Sequence, residues 1–187
     1  GSWERVWDNP TGLYLVLHSE RESQKSNETE LRIIESILQS NQSLTEGSVA
    51  IVTPHRAQRS LLQLHLNGFY PGVVDIIDTV ERLQGGERPT VIMSATVSDP
   101  SAIAKRVEFI LDLNRSNVAF SRSQERLIVV CSEELINFIP AELDHYDATM
   151  LWKSLRSVCT VLVAETAVGN HSVRILTPPI DSGVDPL

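Results

Sequence analysis

Three short segments carry residue types suited to phosphate and nucleotide chemistry. The first is Thr53-Pro54-His55-Arg56-Ala57-Gln58-Arg59, which follows an apolar run and opens a helical pattern. Backbone N–H groups at a helix start attract anions, and here a hydroxyl and two arginines lie within about one turn of them. The second is Thr79-Val80-Glu81-Arg82-Leu83-Gln84-Gly85-Gly86-Glu87. Gly85 and Gly86 permit close approach of the backbone to a ligand, while Gln84 and Glu87 offer an amide and a carboxylate for base edges and sugar hydroxyls. The third is Asn117-Val118-Ala119-Phe120-Ser121-Arg122, where an arginine follows an apolar stripe. Guanidinium groups suit bidentate contact with phosphate. Taken singly, each segment is also compatible with a solvated helix start, a connecting turn or a surface arginine.

Other chemistries find little support. His18, His55, His65, His145 and His171 are scattered with no i, i+4 pair, so no metal site is expected. No G-x-S-x-G occurs, which argues against a hydrolase triad. Cys131 and Cys159 cannot form a disulfide framework, and both read as small buried hydrophobes. No G-x-x-x-x-G-K-[ST] is present, and none of Lys25, Lys105 or Lys153 follows a glycine. A phosphate cradle of that kind is therefore missing. A dinucleotide fingerprint G-x-G-x-x-G is missing too, which counts against an unrelated nucleotide-binding α/β domain.

The elements that must position these segments follow from periodicity. Leu13–His18, Val49–Val52, Val73–Ile77, Val91–Ala95 and Leu127–Val130 are apolar runs that predict buried strands. Asn27 with Glu30 three residues on is a capping-box pattern, and Leu31, Ile34, Ile37 and Leu38 continue it as a helix over about Glu28–Ser40. A second helix starts with Pro54 near its first position and runs toward Gly68. Asn114–Ser123 and Ala148–Val158 read as further helices, and Val161–Val163 and Val173–Leu176 as late strands. Strands alternating with helices predict an α/β fold with a mostly parallel sheet covered on both faces. Ligands of such sheets bind beyond the carboxyl ends of the strands, so chemistry is expected just after each strand.

Order and spacing of the three segments together resemble the second RecA-like domain of superfamily 1 helicases. The nearest branch is the one containing the RNA helicase of nonsense-mediated decay and related DNA helicases. Thr53-Pro54-His55-Arg56-Ala57-Gln58 is similar to that family's T-P-Y-x-x-Q. Thr79 to Glu87, followed by Val91-Ile92-Met93-Ser94, resembles its S/T-V-D-x-F-Q-G-x-E and apolar strand. Asn117 to Gln124 resembles N-V-A-L-T-R-A-R, and Ser26-Asn27-Glu28-Thr29-Glu30 resembles the lead-in S-x-x-N-x-x-E. The likeness covers roughly Leu13 to Cys131.

The resemblance implies a RecA-like three-layer α/β/α domain that forms half of an ATP-dependent nucleic-acid motor. Arg122 would be the arginine finger, a group that contributes about 10³–10⁵ in rate where it has been dissected. Glu87 would bind the ribose, with Gly85 and Gly86 bringing the loop to the nucleotide and Gln84 coupling nucleotide to strand. Thr79, Thr53 and Pro54 would touch the backbone of single-stranded DNA or RNA, contacts that ignore sequence. ATP and Mg²⁺ would be bound mainly by a first RecA-like domain of the same protein. The departures are Glu81 for the motif aspartate, Leu83 for its aromatic, His55 for the tyrosine, Ser121 for the threonine and Gln124 for the second arginine. They leave room for a degenerate module that binds nucleic acid or a protein without catalysis.

Length and charge agree with half of an active site. The 187 residues suffice for one such domain. Expected boundaries are residues 1–12 as a cleavage scar (Gly1-Ser2) and lead-in, 13–140 as the RecA-like domain, and 141–187 as a helix and extension packed on it, with a polar, fraying tail from Asp181. The net charge of -8 argues against a generic polyanion binder, but its distribution does not. Pro54 to Arg126 holds nine Lys and Arg against eight Asp and Glu, and the remainder seven against sixteen. No stretch approaches the roughly 18 apolar residues of a membrane span. No leader segment is seen, and a cytoplasmic location is expected.

Overall fold

The computed structural model describes residues 1–8, 12–79, 87–105, 123–138 and 146–180. In chain order the elements are β1 (Leu13–His18), α1 (Glu28–Gln39), β2 (Val49–Thr53), α2 (Arg56–Leu66), β3 (Val74–Thr79) and β4 (Arg88–Ser94). There follow α3 (Pro100–Lys105), β5 (Ser123–Ser132), α4 (Glu133–Ile136), α5 (Tyr146–Val158), β6 (Val161–Val168) and β7 (His171–Thr177). A 3₁₀ turn over Trp3–Trp7 precedes them.

All seven strands form one sheet in the order β3-β2-β4-β5-β1-β7-β6. β3, β2, β4, β5 and β1 run parallel. β7 joins β1 antiparallel, and β6 pairs antiparallel with β7. The late strands thus belong to the same sheet as the motif-bearing ones.

The continuous apolar runs are explained by burial on both faces, because alternate side chains of a strand point to opposite sides. Leu13, Leu15 and Leu17 of β1 join a cluster with Ile103 of α3, Leu135 and Ile136 of α4, and Trp152 and Leu155 of α5. Tyr14 and Val16 join the opposite cluster with Ile34 and Ile37 of α1 and Leu62 and Leu66 of α2. The result is the three-layer RecA-like α/β/α arrangement. Each fully buried aliphatic side chain contributes about 1.5–3 kcal/mol.

Several local expectations are revised. The second helix begins at Arg56 with His55 as its N-cap, so Pro54 lies before the helix rather than at its first position. Ser123 opens β5 opposite Arg88 of β4 instead of closing a helix. Residues 114–122 of that expected helix, the boundary residues 139–145 and the tail from Asp181 lie outside the described residues. Cys159 follows the last residue of α5 and, like Cys131, is a buried free thiol.

The lead-in docks on this domain. Val6 is fully buried in the α1–α2 cluster. Trp7 Nε1 donates to the Ile37 carbonyl and to Ser40 Oγ, both at 3.0 Å. The Arg126 guanidinium lies 5.3 Å from the Trp7 ring centroid and donates to the Trp7 carbonyl at 2.9 Å.

Candidate functional site

The predicted site residues that lie among the described residues separate onto two opposite edges of the sheet. Thr53 ends β2 and Thr79 ends β3, and the two are partners in the parallel register. They therefore share the carboxyl edge, together with Pro54, which is half-buried. Glu87 lies just before Arg88, at the amino end of β4 and exposed. At about 3.3 Å per residue, the length of β4 puts these edges roughly 20 Å apart. Glu87 thus precedes its strand and does not lie beyond a carboxyl end, where chemistry is expected. Thr79 and Glu87, the described ends of this motif, therefore lie on opposite edges, as they must where β3 and β4 run parallel.

Each edge is fastened by ion pairs. Arg88 binds Asp75 of β3 through Nε at 3.1 and 3.2 Å and Nη2 at 3.0 Å, and its Nη1 donates to the Glu87 carbonyl at 3.1 Å. Arg59 of α2 reaches Asp78 Oδ1 at 3.3 Å, and that same oxygen accepts from the Thr79 amide at 2.7 Å. Gln84, Gly85, Gly86 and Arg122 lie outside the described residues. In sequence Arg122 immediately precedes Ser123, whose backbone is in register with Arg88 next to Glu87.

At the carboxyl edge a buried polar network underlies Thr53. The Thr53 side chain is buried, and its Oγ1 lies 2.9 Å from Thr96 Oγ1 and accepts from the His55 amide at 3.4 Å. Thr96 follows β4 with φ of 77°, the sole positive φ of a non-glycine among the described residues. A β-branched residue there costs about 1–3 kcal/mol, so its surroundings must hold it. Its amide donates to Glu30 Oε1 at 2.8 Å, and its carbonyl accepts from Asn27 Nδ2 at 2.8 Å. Glu30 is fully buried: Oε1 also accepts from Ser94 Oγ at 2.6 Å, and Oε2 lies 2.7 Å from His18 Nε2. His18 Nδ1 accepts from the Glu20 amide at 3.2 Å, which leaves the ring proton on Nε2 facing Glu30.

Gln58, the amide of the T-P-x-x-x-Q match, is spent on this network. Its Oε1 accepts from the Asn27 amide at 2.7 Å, and its Nε2 donates to the Asn27 carbonyl and Ser94 Oγ, each at 3.1 Å. The starts of α1 and α2 are thereby clamped together. A second carboxylate, Glu20, accepts from Asn27 Nδ2, Ser98 Oγ, Ser23 Oγ and the Glu22 amide. Burial pushes this carboxyl up, but the bonds from Ser98, the Glu22 amide and Ser23 outweigh it and hold it below the usual carboxylate range.

The capping box is half realised. Asn27 Oδ1 accepts from the Glu30 amide at 3.0 Å as expected. The Glu30 carboxylate does not return the bond, since the Asn27 amide is taken by Gln58 and the carboxylate turns inward to His18, Ser94 and Thr96. Sequence reasoning missed Glu20, Ser94, Thr96 and Ser98. The available signal was a run of hydroxyl residues, Ser94-Ala95-Thr96-Val97-Ser98, directly after a buried apolar strand.

The mostly parallel seven-stranded sheet with helices on both faces defines a RecA-like α/β domain. Residues 11–134, well over half of the chain, match a family described as an AAA domain. DNA-binding protein SMUBP-2 of Rattus norvegicus is 26% identical over 137 residues, 71% of this chain and 13% of its own length. DNA polymerase alpha-associated DNA helicase A of Saccharomyces cerevisiae is 30% identical over 115 residues, 60% of this chain and 16% of its own. The 3'-5' exoribonuclease HELZ2 of Homo sapiens is 25% identical over 181 residues, 88% of this chain and 6% of its own. The chain belongs to this AAA domain family, within the superfamily 1 helicases. It spans about an eighth of the length of SMUBP-2. No described helix is long and apolar enough to cross a membrane.

Proposed function

We propose that this chain is the second motor domain of an ATP-dependent helicase or translocase, working across a cleft from a first RecA-like domain of the same protein. The observation that carries the reading is the placement of the two ends of one motif. Thr79 stands at the carboxyl edge beside Thr53, and Glu87 stands at the amino edge. A segment with an end on each edge is what transmission between a strand and a nucleotide requires.

In this reading the carboxyl edge meets the backbone of single-stranded DNA or RNA at Thr53, Pro54 and Thr79. With Thr53 fully buried and its hydroxyl taken up by Thr96, direct contact there falls to Pro54, and Thr53 acts by fixing the turn beneath it. The amino edge meets ATP: Glu87 takes the ribose hydroxyls, Gln84, Gly85 and Gly86 line the loop, and Arg122 supplies the finger charge. Mg²⁺ and the phosphates it bridges are held mainly from the facing domain. Residues 13–140 form the RecA-like unit and 141–187 its extension, a division compatible with β7 lying against β1.

A second reading, a non-catalytic module that binds nucleic acid or a protein partner, draws on the charge beside the finger. Gln124 replaces the second arginine, and Arg126, the next one along, is engaged by Trp7. ATP hydrolysis by the purified 187-residue chain tests the half-motor reading. Turnover is expected to be absent with Mg²⁺ and single-stranded DNA or RNA, and robust metal-dependent turnover would overturn it.

A further inference from the structure

The Glu30 network reaches the proposed strand-binding edge through an unbroken set of hydrogen bonds. Glu30 Oε1 takes the Thr96 amide, Thr96 Oγ1 meets Thr53 Oγ1, and Thr53 Oγ1 accepts from the His55 amide. The left-handed Thr96 is the joint of this series. Were its amide released from Glu30, its backbone would relax toward the regions a β-branched residue prefers and carry its hydroxyl away from Thr53. Every other polar neighbour of Glu30 is itself committed: His18 to the Glu20 amide and Ser94 to Gln58. The carboxylate is fully buried and its two oxygens are shared among His18, Ser94 and the Thr96 amide.

We propose that Glu30 is a positioning residue for nucleic-acid binding: it holds Thr96 left-handed, and Thr96 in turn fixes the Thr53–His55 turn that faces the phosphate backbone of a single strand. The inference rests on reading the carboxyl edge as the strand surface. It adds to that reading a residue that is itself fully buried and linked to the edge only through Thr96. It also assigns a use to the backbone strain at Thr96, which a purely structural loop could shed by placing glycine there.

Charge provides the discriminating sign. Removing a negative charge should by itself strengthen binding of a polyanion. Weaker binding on neutralising Glu30 therefore speaks for geometry. In Glu30→Gln one carboxylate oxygen becomes an NH2 donor, which meets donor against donor either the Thr96 amide or the Nε2 proton of His18, so the set of bonds that holds Thr96 cannot be kept whole. In the double variant Glu30→Gln/His18→Gln two amides can pair again.

The test measures binding of labelled oligothymidylate and oligouridylate to the 187-residue chain and its variants, at a temperature where circular dichroism shows each folded. Glu30→Gln is expected to bind about tenfold more weakly, the scale of a single hydrogen bond. Its slope of log K against log salt should fall by about 0.7 for each phosphate that the displaced edge no longer neutralises. The double variant should recover most of the affinity. Equal or tighter binding by folded Glu30→Gln overturns the inference while leaving the strand surface intact. Failure of the unaltered chain to bind either strand overturns the strand surface and the inference with it. Should Glu30→Gln not fold, Thr96→Gly, which tolerates the left-handed backbone but lacks the hydroxyl, is expected to bind similarly weakly, and unchanged binding by it overturns the inference.

Discussion

Thr53 and Thr79, drawn from two motifs 26 positions apart, are register partners at the carboxyl ends of adjacent parallel strands. Neither is an open hydroxyl on a surface: both are buried, Thr53 bound to Thr96 and the Thr79 amide to Asp78. The edge they define is a preformed shelf, tied below by Arg59 to Asp78 and by Glu30 to Thr96. In a motor, such a shelf would transmit movement of the strand to the rest of the domain instead of absorbing it.

The shelf predicts a separable effect of Asp78. Asp78→Asn weakens the Arg59 pair, which is partly exposed and contributes under about 1 kcal/mol. Chemical denaturation should therefore register little change, while strand affinity falls through the loosened Thr79. A large stability loss with intact affinity would reverse the assignment.

Gly12 stands at the start of β1 with φ of +68°, and a Cβ there would lie 2.5 Å from the Glu125 carbonyl oxygen. Gly47 has φ of +67° but meets nothing nearer than Asp75 Oδ2 at 3.7 Å. Gly12→Ala should cost well over about 1 kcal/mol, and Gly47→Ala nearer to that conformational cost alone. Urea unfolding of the two variants measures the difference, and equal losses would rule out the clash.

Acid should unfold the chain partly through Glu20. Its folded carboxyl lies below the usual range, so the stability it contributes is present above its unfolded value of about 4.5 and is lost as pH falls through the lower folded value. Glu20→Gln should lower the midpoint of thermal unfolding at neutral pH yet flatten its decline below pH about 4.5. An equally steep acid decline in the variant would place the sensitivity elsewhere.

Alkaline conditions act on the other layer. Burial pushes the Cys159 thiol up to about 12, against 9.0 when exposed, with Arg156 acting in the opposite direction. A folded value raised in this way stabilises below about pH 9 and is lost as pH rises toward about 12. Cys159→Ala should flatten that alkaline limb, and neither Cys159 nor the buried Cys131 should react with a thiol reagent before unfolding.

The strands were legible in sequence because parallel strands buried on both faces are uninterrupted apolar runs, as in Leu13–His18 and Val49–Thr53. α1 was legible from Asn27 and its apolar spacing. The start of α2 was less so, since Pro54 suits both a first helical position and the residue before an N-cap. The two edges were hidden because proximity in sequence to a strand does not say which end a ligand approaches, and Glu87 precedes its strand. The Glu30 network was hidden for another reason. Glu30 reads as a capping carboxylate, and only the fold brings His18, Ser94 and Thr96 around it.

In the proposed half-motor, Arg122 is the group by which this domain completes an ATP site from across a cleft. ATP hydrolysis by a protein in which this domain is joined to a first RecA-like domain, with and without single-stranded nucleic acid, is therefore to be compared with that of its Arg122→Ala variant. A fall in strand-stimulated rate on the order of 10³ or more is expected, with folding and strand binding retained. An unchanged rate in the folded variant would contradict the half-motor assignment.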